Sequence, residues 1–245
     1  MSASQLLFEQ VFKRFKQQLA VTELTADKGH CFQAFTHTET GKPAGMLKVY
    51  RGKAPVEYII TSSLYVEEMG MESYMLMAFV DPGSAIPHFA FDAMTNSERG
   101  AFHVDFIPRL DLGTHPQYSK QVFEPLNDAL DTLKADPDFS PGDGGRLLLS
   151  MLSPWTGLFQ TTPDKLAGGA MLVDRYLQHW FTLIDQGVST TVDSEALANR
   201  DRLHRLALYN EENDMLWGLL KNLIGEKDRD LILSLLRGEL RPSLP

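Results

Sequence analysis

Residues 87–94 read PHFAFDAM and residues 101–108 read AFHVDFIP, with TNSERG between them. Both stretches alternate with the period of a β-strand, so Phe89, Phe91 and Ala93 point one way while His88 and Asp92 point the other. His103 and Asp105 alternate with Phe102, Val104 and Phe106 in the same manner. Two imidazoles and two carboxylates on one face of a sheet are accounted for by solvent or, if the face is covered, by a ligand or a hydrogen-bonded network.

The surrounding sequence extends the strand pattern over 32–112, in the runs CFQAFTHTE, GMLKVYRG, VEYIITSSLYV and SYMLMAFV followed by the two opening stretches. TGKPA, EEMGME, DPGSAI and TNSERG punctuate them with turn residues. Links this short hold no crossover helix, which predicts an antiparallel meander. Ahead of it, Leu6, Leu7, Val11, Phe12 and Phe15 recur at helical spacing within 5–18. Beyond Pro116 the spacing is helical at 117–134, 164–186, 194–222 and 226–238, with starts at Thr162 before Pro163 and at Asp193. LLLSMLSPW reads as a short strand or a buried turn. Strands followed by helices imply an α+β fold. The expectation is a single domain over 1–245, a three-layer α/β/α sandwich with a central antiparallel sheet (mainly 32–112) flanked by helices (mainly 1–20 and 117–238).

The 245 residues are 43% hydrophobic, ample for a core, and carry a net charge of −9. That charge argues against a general nucleic-acid binder, which concentrates Lys and Arg on its contact surface. The lone Cys31 excludes an intramolecular disulfide framework and any Cys-rich metal site. MSASQLLFEQVFKRFKQQL lacks the apolar core of a signal peptide, and no apolar run approaches the ~20 residues of a membrane span. A soluble cytoplasmic protein is expected. There is no Gly-rich phosphate loop, HExxH or GxSxG. His88 and His103 could join Asp92 and Asp105 around a transition metal, but no histidine pair has helical i,i+4 spacing, and a strand histidine is more often packed or solvated.

Several stretches, in order, resemble the ferredoxin-dependent bilin reductases and red chlorophyll catabolite reductase. In FVDPGSAIPHFAFD, Pro82, Pro87 and Asp92 are similar to the family's strand, proline-bounded turn and second strand with an acid facing the tetrapyrrole. HVDFIPRLDL resembles the next strand, through Asp105, Pro108 and Asp111, and PQYSKQVFEPLNDAL the helix after it. LLSMLSPWTGLF is similar to the Ser-Pro step of the chlorophyll-catabolite branch, and RLALYNEENDMLWGLLKNLIGEKDRDLILSLL to the closing pattern of Tyr, Asn-Asp, a Leu/Gly loop and a helix. The resemblance spans roughly 45–238.

It implies Asp92 as the substrate-facing acid of the sheet and Asp214 as a helical acid across the pocket. The phycocyanobilin-forming members carry a histidine and a glutamate where a gapless count meets Met75 and Ser63 here. The implied reaction is reduction of a linear tetrapyrrole by single electrons from reduced ferredoxin or flavodoxin, with no bound cofactor and no metal, and protons from pocket aspartates. Met77, Met94, Phe106 and Trp217 are candidate walls, Arg200, Arg202, Arg205 and Lys221 candidate partners of the propionates. His88, His103 and Asp105 are expected beside the substrate as relaying or orienting groups. Lys13, Arg14 and Lys16, or Lys48, Arg51 and Lys53, are candidate docking patches for an acidic donor. The alternative is a bilin- or haem-breakdown-product binding protein without turnover.

Overall fold

The structure is a computed structural model that describes residues 1–24 and 32–242. The helix α1 (Ala3–Leu19) opens on Ser2, whose hydroxyl accepts the Gln5 N–H, and buries Leu7, Val11 and Phe15. The strands are β1 (Thr22–Leu24), β2 (Gln33–Thr36), β3 (Pro43–Arg51), β4 (Val56–Val66), β5 (Met71–Val80), β6 (His88–Thr95), β7 (Gly100–Ile107), β8 (Ser140–Pro141) and β9 (Gly157–Thr161). Among the described residues they form one antiparallel sheet in the order β1-β3-β4-β5-β6-β7-β9-β8, with β2 also paired to β3. The meander predicted for 32–112 is its centre. Cys31, which begins the first strand run, lies outside the described residues.

The helices after the meander are α2 (Pro116–Val122), α3 (Asn127–Lys134), α4 (Arg146–Met151), α5 (Ala170–Gln186), α6 (Ser194–Leu208), α7 (Leu216–Ile224) and α8 (Glu226–Arg237). Four expectations change in detail. Pro125 sits in a 3-10 turn that divides 117–134. The helix expected from 164 begins at Ala170, after a 3-10 turn over Leu166–Gly169. The helix expected over 194–222 breaks after Leu208, where the Asn213 amide donates to the Ala207 carbonyl and the Asp214 carboxylate accepts the Leu216 N–H. The LLLSMLSPW run is α4 and a loop that leads into β9, so the sheet continues past 112.

Both sheet faces are covered by helices, as the three-layer expectation requires. On one face Phe89, Phe91, Phe102 and Phe106 pack under α1 and α5. Trp180 of α5 lies 5.4 Å from Phe15 and 5.7 Å from Phe89, ring to ring, and its indole N–H donates to the Pro87 carbonyl. Phe106, a candidate pocket wall, belongs to this core, against Tyr176. On the other face Val49, Tyr58, Ile60 and Phe79 meet Leu208, Leu220, Ile232 and Leu236 of α6–α8.

A buried charged network joins this second layer to the sheet. Asp201 of α6 accepts from His88 Nε2 at 2.8 Å and lies 3.6 Å from both Arg109 Nε and Arg205 Nη1. Arg109 donates on to the Pro82 carbonyl at 2.5 Å. Arg205 donates to the Tyr58 hydroxyl and the last carbonyls of α8 at Leu235 and Leu236, with its guanidinium 3.9 Å over the Phe79 ring. Gly238 is needed here: its φ is +72°, and a Cβ would come within 3.0 Å of Arg205. His88, expected beside a substrate, is instead sealed in this network with no exposed surface. The Val80 N–H donates to its Nδ1, so the ring proton sits on Nε2 and the imidazole is neutral. Burial is the larger cause that drives its pKa down, to about 3, with Arg109 adding to it against the pull of Asp201. Burial would raise the Asp201 pKa, but His88, Arg109 and Arg205 hold its carboxyl far below the usual range.

Removing one partner of a buried charge cluster strands the others, so Asp201→Ala should cost about 3–5 kcal/mol in urea unfolding. Stability should also fall as pH drops below 6.5, the ordinary histidine value, towards about 3, because the unfolded chain binds a proton at His88 that the fold refuses. His88→Gln should flatten that segment of the stability–pH curve by up to ~1.4 kcal/mol per pH unit. An unchanged slope would contradict the neutral, sealed imidazole.

Candidate functional site

The helical cover seals only part of its sheet face. Along β5, Met77 and Phe79 are buried while Ser73 and Met75 are half-buried. Along β6, His88 and Ala90 are buried while Asp92 and Met94 are half-buried, and Leu64 and Ala101 continue the open region on β4 and β7. These are strands from the middle of the sheet, so their exposure comes from missing cover and not from an edge. The result is a shelf of mostly apolar side chains around one carboxylate.

Register brings that carboxylate to an imidazole. Ser62, Met75, Asp92 and His103 stand opposite one another across β4, β5, β6 and β7. Asp92 Oδ2 lies 3.0 Å from His103 Nδ1, with side-chain exposures of 43% and 11%. The other ring nitrogen, Nε2, is 3.1 Å from the Thr156 hydroxyl. Burial alone would lower the His103 pKa; the hydrogen bond and charge of Asp92, with the charge of Asp105, outweigh it and hold it above its ordinary value. Asp105, on the same face, is fully buried, and burial pushes its pKa up to about 6 against the opposing His103 charge and hydrogen bonds. Its Oδ1 accepts the Ser153 hydroxyl at 2.5 Å and its Oδ2 the Ser153 N–H at 2.9 Å. Ser153 and Thr156, which sequence reasoning missed, both come from the loop between α4 and β9.

The remaining expected site residues disperse. Met75 does face the shelf, directly opposite Asp92. Ser63 does not: it pairs with Tyr74, whose ring packs on Phe8 of α1, so it looks to the other layer and Ser62 holds the position in line with Asp92. A one-residue slip reverses the face of a strand residue, and the gapless count was off by one. Asp214 caps α7, and among the described residues no hydrogen bond or ion pair joins it to Asp92 or His103. Trp217 is buried edge-to-face on Tyr209. Arg200 donates to the Pro108 carbonyl at 2.5 Å, Arg202 to Asn199, Lys221 pairs with Glu226, and Arg205 belongs to the Asp201 network. His88 and His103 therefore serve different clusters, and among the described residues no group of three or more His, Cys, Asp and Glu side chains is arranged to hold a metal.

Two hollows lie elsewhere. One of about 500 Å³ is on the outside of α6, beside Arg200 and His204. The other, of about 540 Å³, lies between α1 and β3–β5, lined by Phe8, Phe12, Tyr50 and Tyr74. Neither places an acid against an imidazole. Among the described residues no helix is long and apolar enough to cross a membrane.

No family model matches the sequence, and no curated protein matches it by sequence. The fold does match solved structures. The crystal structure of phytochromobilin synthase from tomato in complex with biliverdin superposes with a TM-score of 0.74, covering 95% of this chain and 82% of that one at 17% identity. At that identity the likeness establishes the fold: a large antiparallel sheet between helical layers, shared with a biliverdin-bound protein.

The raised Asp105 pKa means that this carboxyl favours the folded state when protonated and loses that contribution as pH rises through about 6. Ser153→Ala removes a donor to the ionised form. It should therefore destabilise by about 1.5–3 kcal/mol at pH 8 and by less at pH 5, read from urea unfolding at the two pH values. Equal losses at both would contradict the assigned titration.

Proposed function

We propose that the protein is a reductase of a linear tetrapyrrole, supplied with single electrons by a ferredoxin- or flavodoxin-type donor, with Asp92 as proton donor. The observation that carries this reading is the half-uncovered shelf in mid-sheet with one acid–imidazole pair, within a fold shared with phytochromobilin synthase. A flat conjugated ligand suits such a shelf: apolar side chains take the ring faces and a few polar groups orient it. Covering Asp92 with rings removes water from its carboxyl and favours the protonated form, the state a general acid needs near neutral pH. The reading calls for no resident cofactor, since the electrons arrive from the partner and the ligand carries the redox chemistry. Asp214, expected as a second acid, is engaged as a helix cap and enters the proposal only if the ligand draws it away.

Met75 stands in line with Asp92 where the resembled phycocyanobilin-forming enzymes carry a histidine, and this favours a second reading, a bilin-binding protein without turnover. One experiment separates the two. Biliverdin added to micromolar protein should shift its absorption spectrum, and anaerobic addition of reduced ferredoxin should convert it. Asp92→Asn should keep the shift and lose about 10²- to 10⁴-fold in conversion. A shift without conversion in the wild type selects the binding protein; no shift across a panel of bilins and chlorophyll catabolites ends both readings.

For the electron donor, the two basic stretches become one surface. The Lys53 N–H donates to the Leu19 carbonyl at the end of α1, which sets exposed Lys53 beside the helix that carries exposed Lys13 and Lys16. Arg14 and Lys48 are already paired, with Asp174 and Glu23, and Arg51 is half-buried. If an acidic donor docks here, conversion should slow as salt screens charges beyond about 8 Å. Lys13→Glu with Lys53→Glu should slow electron delivery while leaving bilin affinity unchanged; wild-type rates from that variant would exclude this surface.

A further inference from the structure

His88 and His103 sit on the same sheet face with the same strand pattern, yet their partners set opposite proton states. A backbone N–H donates into the His88 ring, which excludes a proton at that nitrogen. His103 instead meets a carboxylate oxygen at Nδ1 and a hydroxyl oxygen at Nε2. Both can accept, so the doubly protonated imidazolium is satisfied on each side. Three acid–base groups grade inward along this face, from half-exposed Asp92 through His103 to sealed Asp105.

We propose that His103 is a proton store in series with Asp92, holding one of the two protons that each two-electron reduction consumes, and that Thr156 is its positioning residue. The proposal rests on the reductase reading above. In the loaded state Asp92 is a neutral carboxyl under the ligand and His103 an imidazolium. The first electron from the iron–sulfur or flavin donor makes the tetrapyrrole a radical anion; the Asp92 O–H bond breaks and its proton bonds to the ligand. The His103 Nδ1–H bond then breaks and re-forms the carboxyl, leaving a neutral imidazole whose Nε2–H stays on Thr156. The second electron reduces the neutral ligand radical, and Asp92 gives up the second proton. The ligand has gained two electrons and two protons, and the pair has lost two protons. Both return from water when product leaves, through the exposed side of Asp92.

The groups that bias His103 come from every element around it. Asp92 on β6 and Asp105 on β7 favour the cation by charge, the loop before β9 brings only the hydroxyls of Ser153 and Thr156, and from the helical side the Tyr209 phenol lies close enough to Asp92 to feel its charge. Burial disfavours the cation, and the two carboxylates outweigh it.

The test combines two readouts. In ligand-free protein, NMR titration of the His103 ring should give a midpoint above 6.5 that falls in Asp92→Asn and in Thr156→Val. In anaerobic single turnovers with biliverdin, His103→Gln should pass the first electron normally and then hold a bilin radical, with the second step slowed at least about tenfold. Thr156→Val keeps the imidazole, so it should slow the second step only at the higher pH values, where the weakened store is empty. A wild-type midpoint at or below 6.5, or full-rate two-electron product from His103→Gln, overturns the store. Either result is compatible with wild-type turnover, whereas a wild type that binds biliverdin and never reduces it overturns the reductase reading itself.

Discussion

The Asp201 carboxylate is the point on which the second helical layer hangs. It reaches from α6 into the sheet at His88, while Arg109 and Arg205 carry its charge to the turn after β5 and the C-terminal end of α8. A carboxylate taken out of water is tolerated only when its charge and lone pairs are met, and here an imidazole N–H and two guanidinium groups meet them. Arginine suits this role because its rigid fork serves Asp201, a phenol and two helix-end carbonyls at once. Such a tie is directional in a way that apolar packing is not, so it sets where α6 and α8 sit as well as how firmly they hold.

That placement decides what stays uncovered. The helices close over the part of the sheet next to His88 and Phe79 and leave Asp92, Met75 and Met94 half-buried on strands that have neighbours on both sides. An apolar surface left open in mid-sheet is unfavourable in water unless something else covers it, and a single carboxylate within it orients what does. Behind Asp92 the loop between α4 and β9 supplies Ser153 and Thr156, so that short segment shapes both the buried acid and the imidazole.

Much of this architecture was legible without coordinates. The alternation from 32 to 112 with short turns specified an antiparallel meander, and the helical spacing after Pro116 specified the covering layers; both patterns follow from local backbone geometry. The strands β8 and β9 escaped notice because two and five residues carry too little alternation to be told from a loop. The Asp201 network left one unused signal: Leu197, Asp201, Arg205 and Leu208 recur at helical spacing on the buried stripe of α6, and two charged residues within such a stripe point to each other or to a buried partner. Ser63 was placed on the wrong face because a count along the chain does not see register across strands, where one residue is the difference between two layers.

The sequence by itself determined that His88, Asp92, His103 and Asp105 share one face, since side-chain direction along a strand is set by the neighbouring peptide units. Tertiary structure alone decided which of them are structural and which form a candidate site. His88 finds its partner in Asp201, 113 residues away, and a backbone N–H eight residues before it, and becomes a neutral support. His103 finds Asp92 across one strand and Thr156 across a distant loop, and is placed to carry charge. An imidazole takes its proton state from the donors and acceptors that surround it, and those arrive through contacts far apart in the chain.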